Sequence, residues 1–293
     1  MQPGERVDGT TREVVRCVLH EEPMHTHVAT RPAAVAGMFY PDSPETLRRT
    51  VDSMLADAVV TRCPRPKALI VPHAGYVFSG PIAASAYARL VPHATTYARV
   101  VLIGPAHRAR VNGVATSSAK TFATPIGTVE VDEAWLERAQ GISRDDQAHA
   151  LEHSLEVQLP FLLRVLPGVP IVPLVVGLAR PEAVADVLDA LWGGPETLVV
   201  VSSDLSHYLP YGDARRIDLR TAQRILRLDA PLHGSEACGA GPINGLVVEA
   251  RRKGLDGELL DLRSSGDTAG PRNEVVGYGA FAFYEGGTNG VQA

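Results

Sequence analysis

Five residues placed just beyond short apolar runs carry most of the chemistry this sequence offers. His73 lies in Pro72-His73-Ala74-Gly75-Tyr76, His107 closes Gly104-Pro105-Ala106-His107, and Asp204 and His207 share Ser202-Ser203-Asp204-Leu205-Ser206-His207. Cys238 stands in Ala237-Cys238-Gly239-Ala240-Gly241-Pro242. A neutral imidazole offers a nitrogen lone pair, and two or three of them on rigid strand ends pre-arrange part of a coordination shell for zinc, iron or copper. One loop histidine alone is more often a hydrogen-bonding residue than a ligand. Repetition after successive runs is what puts a metal or catalytic pocket ahead of that reading. Cys238 precedes a predicted helix from Pro242 to Lys253, and a helix N-terminus favours thiolate, the form that attacks or ligates. Cys63 reads instead as a small buried hydrophobe and Cys17 as a tail thiol.

A further element, Glu152-His153-Ser154-Leu155-Glu156, has helical spacing. On a helix Glu152 and Glu156 share one face, and His149 and His153 are also four apart. Such pairs are commonly a solvated face; equally, Glu152, His153 and Glu156 could stand behind the histidines and orient them. Two other chemistries are excluded. Ser202 and Ser203 precede Asp204 and His207, yet the glycine-flanked nucleophile elbow of a serine hydrolase is missing. Gly75-Tyr76-Val77-Phe78-Ser79-Gly80 matches neither a dinucleotide fingerprint nor a phosphate-binding loop.

These loops need a scaffold, and the apolar pattern supplies one. Residues 68–71, 100–103, 171–176 and 198–201 are continuous apolar runs of the kind buried parallel strands show. Helical periodicity marks 44–59, 80–90, 152–166, 181–191 and 213–228. Strands alternating with helices imply an α/β sheet covered on both faces, and in open sheets of this kind ligands bind beyond the carboxyl ends of the strands. Residues 113–131 read as a hairpin excursion, and 275–283 as a final strand. One domain over 31–286 is expected, with a flexible leader at 1–30 and a flexible tail at 287–293; His20, His25 and His27 read as solvated residues of that leader. The chain has 293 residues, 45% hydrophobic, with 28 Lys and Arg against 33 Asp and Glu, so it carries no basic field for nucleic acid. It shows no apolar stretch of signal-peptide or membrane-spanning character, which points to a cytoplasmic protein with no membrane partner.

Taken together, Ala36-Gly37-Met38-Phe39-Tyr40-Pro41, the His73, His107, Glu152-to-Glu156 and Asp204-to-His207 motifs and Cys238-Gly239 resemble the Memo family, the Memo-like component of the AmmeMemoRadiSam system, from Arg31 onward. That family is similar to class III extradiol dioxygenases, so the resemblance implies a three-layer α/β/α domain. It implies further that His73, His107 and Cys238 hold iron or copper, with Asp204 and His207 in the same pocket. A cysteine where ring-cleaving enzymes use a carboxylate favours redox chemistry over ring cleavage. Three functions stay open: a redox metal protein in which Asp204 orients His207 for proton transfer and Cys238 takes part, an extradiol-type non-haem iron dioxygenase on a small aromatic substrate, and a non-enzymatic scaffold whose pocket receives a peptide or a partner; a small-molecule or peptide ligand in the pocket is expected. AMMECR1-like and radical-SAM pathway partners are expected from the same resemblance.

Overall fold

The parallel strands foreseen from the apolar runs form the centre of one large sheet. The structure is a computed structural model and describes residues 30–58, 60 and 63–286. Of the leader expected at 1–30, residues 1–29 lie outside the described residues and Thr30 belongs to a strand; the tail, 287–293, lies outside them too. The strands are β1 (Thr30–Arg31), β2 (Ala68–Val71), β3 (Arg99–Pro105), β4 (Val114–Thr116), β5 (Thr121–Thr124), β6 (Gly127–Glu130), β7 (Ile142–Arg144), β8 (Ile171–Val176), β9 (Thr197–Ser202), β10 (His207–Leu209), β11 (Leu255–Ser264) and β12 (Val275–Glu285). The large sheet has the order β10-β12-β2-β9-β3-β8-β4-β7, with β11 paired to β12. Within it β2, β9, β3 and β8 are mutually parallel. A small sheet, β1-β5-β6, contains the hairpin expected between residues 113 and 131.

The helices are α1 (Pro44–Asp57), α2 (Tyr76–Tyr87), α3 (Glu133–Leu136), α4 (Asp146–Ala150), α5 (Leu159–Val165), α6 (Pro181–Ala190), α7 (Tyr211–Leu226), α8 (Ala240–Lys253) and α9 (Ser265–Thr268). Strand residues alternate between two cores, as their two-residue period demands. Leu69, Leu102 and Val200 pack with α1, α2 and α5 on one face. Ile70, Val101 and Val199 pack with α6, α7 and α8 on the other. This is the three-layer α/β arrangement the sequence implied, and it explains why the central strands read as unbroken apolar runs.

Two local expectations are corrected. Residues 152–166 are not one helix. Residues 151–155 form turns, a 3-10 turn covers Glu156–Gln158, and α5 begins only at Leu159. Strand β11 was also not foreseen. Its sequence, Leu-Asp-Gly-Glu-Leu-Leu-Asp-Leu-Arg-Ser, mixes charges with leucines because most of it is only half-buried, and its order comes from pairing with β12.

The broken segment has a structural role. Glu156 is fully buried and its carboxylate accepts from the guanidinium of Arg31, from the backbone N–H groups of Ala34 (2.8 Å) and Val35 (2.9 Å), and from Tyr40 Oη (2.6 Å). Arg31 also donates to the carbonyls of His149 (3.0 Å) and Glu152 (2.6 Å). Glu156 therefore ties residues 31–40 to the body and does not touch the histidines, contrary to the expectation that placed it behind them. Removing one partner of a buried pair strands the other charge, so Glu156→Gln is expected to lower stability by about 3–5 kcal/mol in chemical denaturation.

Candidate metal centre

The site follows from strand order. Because β2, β9 and β3 lie side by side and parallel, the loops carrying His73, Asp204 and His107 leave the same edge of the sheet next to one another. Nitrogen donors of His73, His107 and His153 then come within 4.8 Å of one another. The three rings are in mutual contact, with centroids 5.2 Å (His73–His107), 5.3 Å (His73–His153) and 4.8 Å (His107–His153) apart. His153, which the sequence put in a supporting place, thus stands among the donors. Glu152 keeps the supporting role: its carboxylate accepts from the His107 backbone N–H (2.5 Å) and from Nδ1 (3.0 Å).

Hydrogen bonds decide which nitrogen each ring presents. The Ser202 hydroxyl has one proton, which it donates to the Ser154 carbonyl (2.6 Å). It must therefore accept from Gln158 Nε2 (2.8 Å) and from His73 Nδ1 (2.9 Å). That fixes His73 as the Nδ1–H tautomer and places its lone pair on Nε2, 3.3 Å from Cys238 Sγ. The Glu152 carboxylate imposes the same tautomer on His107. The Leu205 carbonyl imposes it on His207, whose Nδ1 lies 2.8 Å away. Asp204 does not orient His207, as the sequence reading had it; its carboxylate accepts from the His73 backbone N–H (2.7 Å) and so anchors the His73 loop. Ser202, Ser154 and Gln158 are the functional residues that sequence reasoning missed, since nothing in a strand-end serine or a buried glutamine signals a tautomer lock.

Electrostatics suit cation binding. Burial and then the neighbouring His107 push His73 well below the usual histidine range. Burial, outweighing the Glu152 carboxylate, brings His153 down to about 4. These two rings are neutral donors at physiological pH, and a buried His153 Nδ1 has no hydrogen-bond partner although Glu152 Oε1 lies 3.3 Å away. Glu152 is itself held well below the carboxylate range: burial opposes ionisation, but the His107 side chain and the N–H groups of Ser154 and His107 outweigh it. Burial raises Asp204 to about 7 against the hydrogen bonds it accepts from the backbone N–H groups of His73 and Ala74, so it titrates near neutrality.

Cys238 arrives beside this group, with Sγ 3.3 Å from His73 Nε2 and 3.3 Å from the Asp204 backbone N–H. A glycine follows because Ser203 leaves no room: a Cβ at residue 239 would lie 2.6 Å from the Ser203 side chain. The expected thiolate-favouring environment is not found. Burial and then the Asp204 carboxylate raise the thiol to about 12, and the helix terminus does not offset them. Cys63, by contrast, is not among the residues lining the cleft.

All five of His73, His107, Asp204, His207 and Cys238 line one cavity of about 920 Å³, with Phe39, Arg108, Arg220 and Arg224 among the other walls. A second cavity of about 410 Å³ shares Phe39, His153, Asp204, His207 and Tyr208 with it. Tyr208, which lines both, is 73% exposed and holds the left-handed region at φ 56°. It sits where the pairing of β10 with β12 slips register. Such a bulge re-aims side chains, here turning His207 toward the cleft.

The fold and site together define a three-layer α/β protein with a histidine-lined, metal-capable cleft at the carboxyl edge of its sheet. The Memo-like protein family matches over residues 31–282, and the chain belongs to that family. A MEMO1 family protein of Methanopyrus kandleri is 36% identical over 285 residues, covering 87% of this chain and 99% of its own length. Those of Methanosarcina barkeri and Archaeoglobus fulgidus are each 36% identical over 266 residues, covering 85% of this chain. Among the described residues no helix is long and apolar enough to cross a membrane.

Two outcomes follow from the geometry. Glu152→Gln removes the charged acceptor behind His107 and is expected to weaken metal binding by roughly 10–100-fold in competition titrations with a chelator. In metal-stripped protein, Cys238 should resist iodoacetamide at pH about 9.5, where an ordinary thiol of pKa about 8.5 is largely ionised, and react only as pH approaches 12; peptide mass spectrometry reads Cys63 and Cys238 separately.

Proposed function

We propose that the cleft binds iron or copper through His73, His107 and His153, with the Cys238 thiol recruited alongside, and that the protein carries out redox chemistry on a small molecule. The observation that carries this reading is the convergence of three imidazoles, two of them with the lone pair placed on Nε2 by a fixed Nδ1–H. The donor set suits those metals: imidazole accepts iron or copper, and an adjacent sulfur adds a soft, oxidisable ligand. A metal held here would supply one-electron transfer or activation of oxygen. The chain's own part is to orient the donors, to keep His73 and His153 unprotonated, and to hold exchangeable protons at Asp204, near its pKa of about 7, and at the imidazole of His207. A bound cation would also favour the thiolate of Cys238, as metals do for coordinating thiols.

The extradiol reading has less support. Ring-cleaving iron sites use two histidines and one carboxylate with open positions. Here the nearest buried carboxylates are committed elsewhere, Glu152 to His107 and Asp204 to the His73 backbone. A cavity of about 920 Å³ matches a small-molecule site better than a peptide groove, which weighs against the scaffold reading.

Reconstituted wild-type protein is expected to hold close to one iron or copper per chain by elemental analysis, and His73→Ala/His107→Ala to hold none. Equal metal in the two proteins would overturn the reading, and the test should use protein lacking the histidine-bearing residues before Arg31.

A further inference from the structure

The cleft has a charge balance that the metal reading does not use. Its walls carry the arginines Arg108, Arg220 and Arg224 and the acids Asp204 and Glu236. Arg224 is fully engaged: Nη1 donates to both Glu236 oxygens (2.7 and 3.0 Å), Nε to Asp229 (3.3 Å) and Nη2 to the Pro231 carbonyl (2.7 Å). Asp204 is engaged by the His73 loop. Both acids are thus spoken for, whereas Arg108 and Arg220 have neither an ion-pair nor a hydrogen-bond partner among the described residues.

The two guanidiniums come from different walls. Arg108 follows His107 directly, and its charge is felt at the His153 ring. Arg220 belongs to α7, where Ile217, Arg220 and Arg224, spaced three and four apart, turn one helix face into the cleft. Phe39, Tyr208, Leu209 and Ile217 supply apolar surface in the same cavity. Exposed arginines are usually just solvated. Two unpaired ones lining one cavity whose acids are already engaged create a local positive field with a planar, forked hydrogen-bonding geometry, which suits carboxylates.

We propose that the small molecule received by this cleft is an organic carboxylate with an aromatic or aliphatic body, its anionic end held by Arg108 and Arg220 and its body against Phe39, Leu209 and Ile217. The proposal deepens the reading of the cleft as a small-molecule redox site, and its test is arranged to fail separately from that reading. Metal-stripped full-length protein is titrated by calorimetry with phenylacetate and hexanoate and, in parallel, with phenylacetamide and hexanamide, at low and high salt. The acids are expected to bind about tenfold or more tightly than their neutral amides, with the advantage shrinking as salt rises. Arg108→Gln/Arg220→Gln should abolish that advantage, and Arg108→Lys/Arg220→Lys should keep part of it. Equal binding of acid and amide, no binding of either acid, or an undiminished preference in the glutamine double variant overturns the proposal. Metal stoichiometry measured on the same double variant should match wild type; a carboxylate preference in a protein that takes up no metal would instead overturn the metal reading alone.

Discussion

Side-by-side parallel pairing of β2, β9 and β3 is the constraint on which the cleft depends. The register that sets Val71 opposite Ser202, and Ile103 opposite Val201, ends all three strands at nearly one level. The chain must then leave the sheet there three times, and each departure carries a residue able to donate or accept a proton. No helix is needed to gather these groups. Burial of both strand faces makes the edge rigid, because a one-residue slip would turn every apolar side chain to the wrong layer.

A second feature joins this edge to the rest of the molecule. Between α4 and α5 the chain abandons the helix for a run of turns whose polar residues are almost all buried. Each of them bonds in a different direction. Glu152 turns to His107, Ser154 to the Pro105 carbonyl and Ser202, Glu156 to Arg31 and Tyr40, and Gln158 to Tyr87, the Pro72 carbonyl and Ser202. Continuing the helix through 152–158 would have pointed these side chains at helical intervals along one face or around the barrel of the rod. The turns let one short segment reach three strand ends and the start of the folded chain, and a buried network in which the side chains of Glu152, Ser154, Glu156 and Gln158 are all paired favours a single arrangement. Burial of Glu156 and Arg31 together is part of that specification.

Much of this was legible in the residues. The four central strands and their three functional loops could be read because doubly buried parallel strands leave unbroken apolar runs, and because histidine after each of two runs is unusual enough to notice. Glu152 stands against His107, accepting from its Nδ1. The place of His153 and Glu156 was not legible, since helical spacing in 152–166 hid the turns that send one to the cleft and the other to Arg31. The thiol of Cys238 was misjudged for a related reason: proximity to a helix start is visible in sequence, while burial against Asp204 is a tertiary fact. Arg108 and Arg220 lie 112 positions apart, and only the fold shows them facing one space.

Tyr208 gives the cleft a different kind of property. It holds a left-handed backbone that disfavours side chains with a Cβ, it is largely exposed, and it lines both cavities. Most positions that shape a pocket are also core positions, so altering them endangers folding. Here the two demands are separated: replacement by glycine would relieve the backbone and remove a side chain that both cavities share, and replacement by asparagine would suit the same backbone while leaving a smaller side chain there. The width of the cleft is therefore separable from the core: one exposed residue can change it while the histidines and the turn that fixes them stay in place.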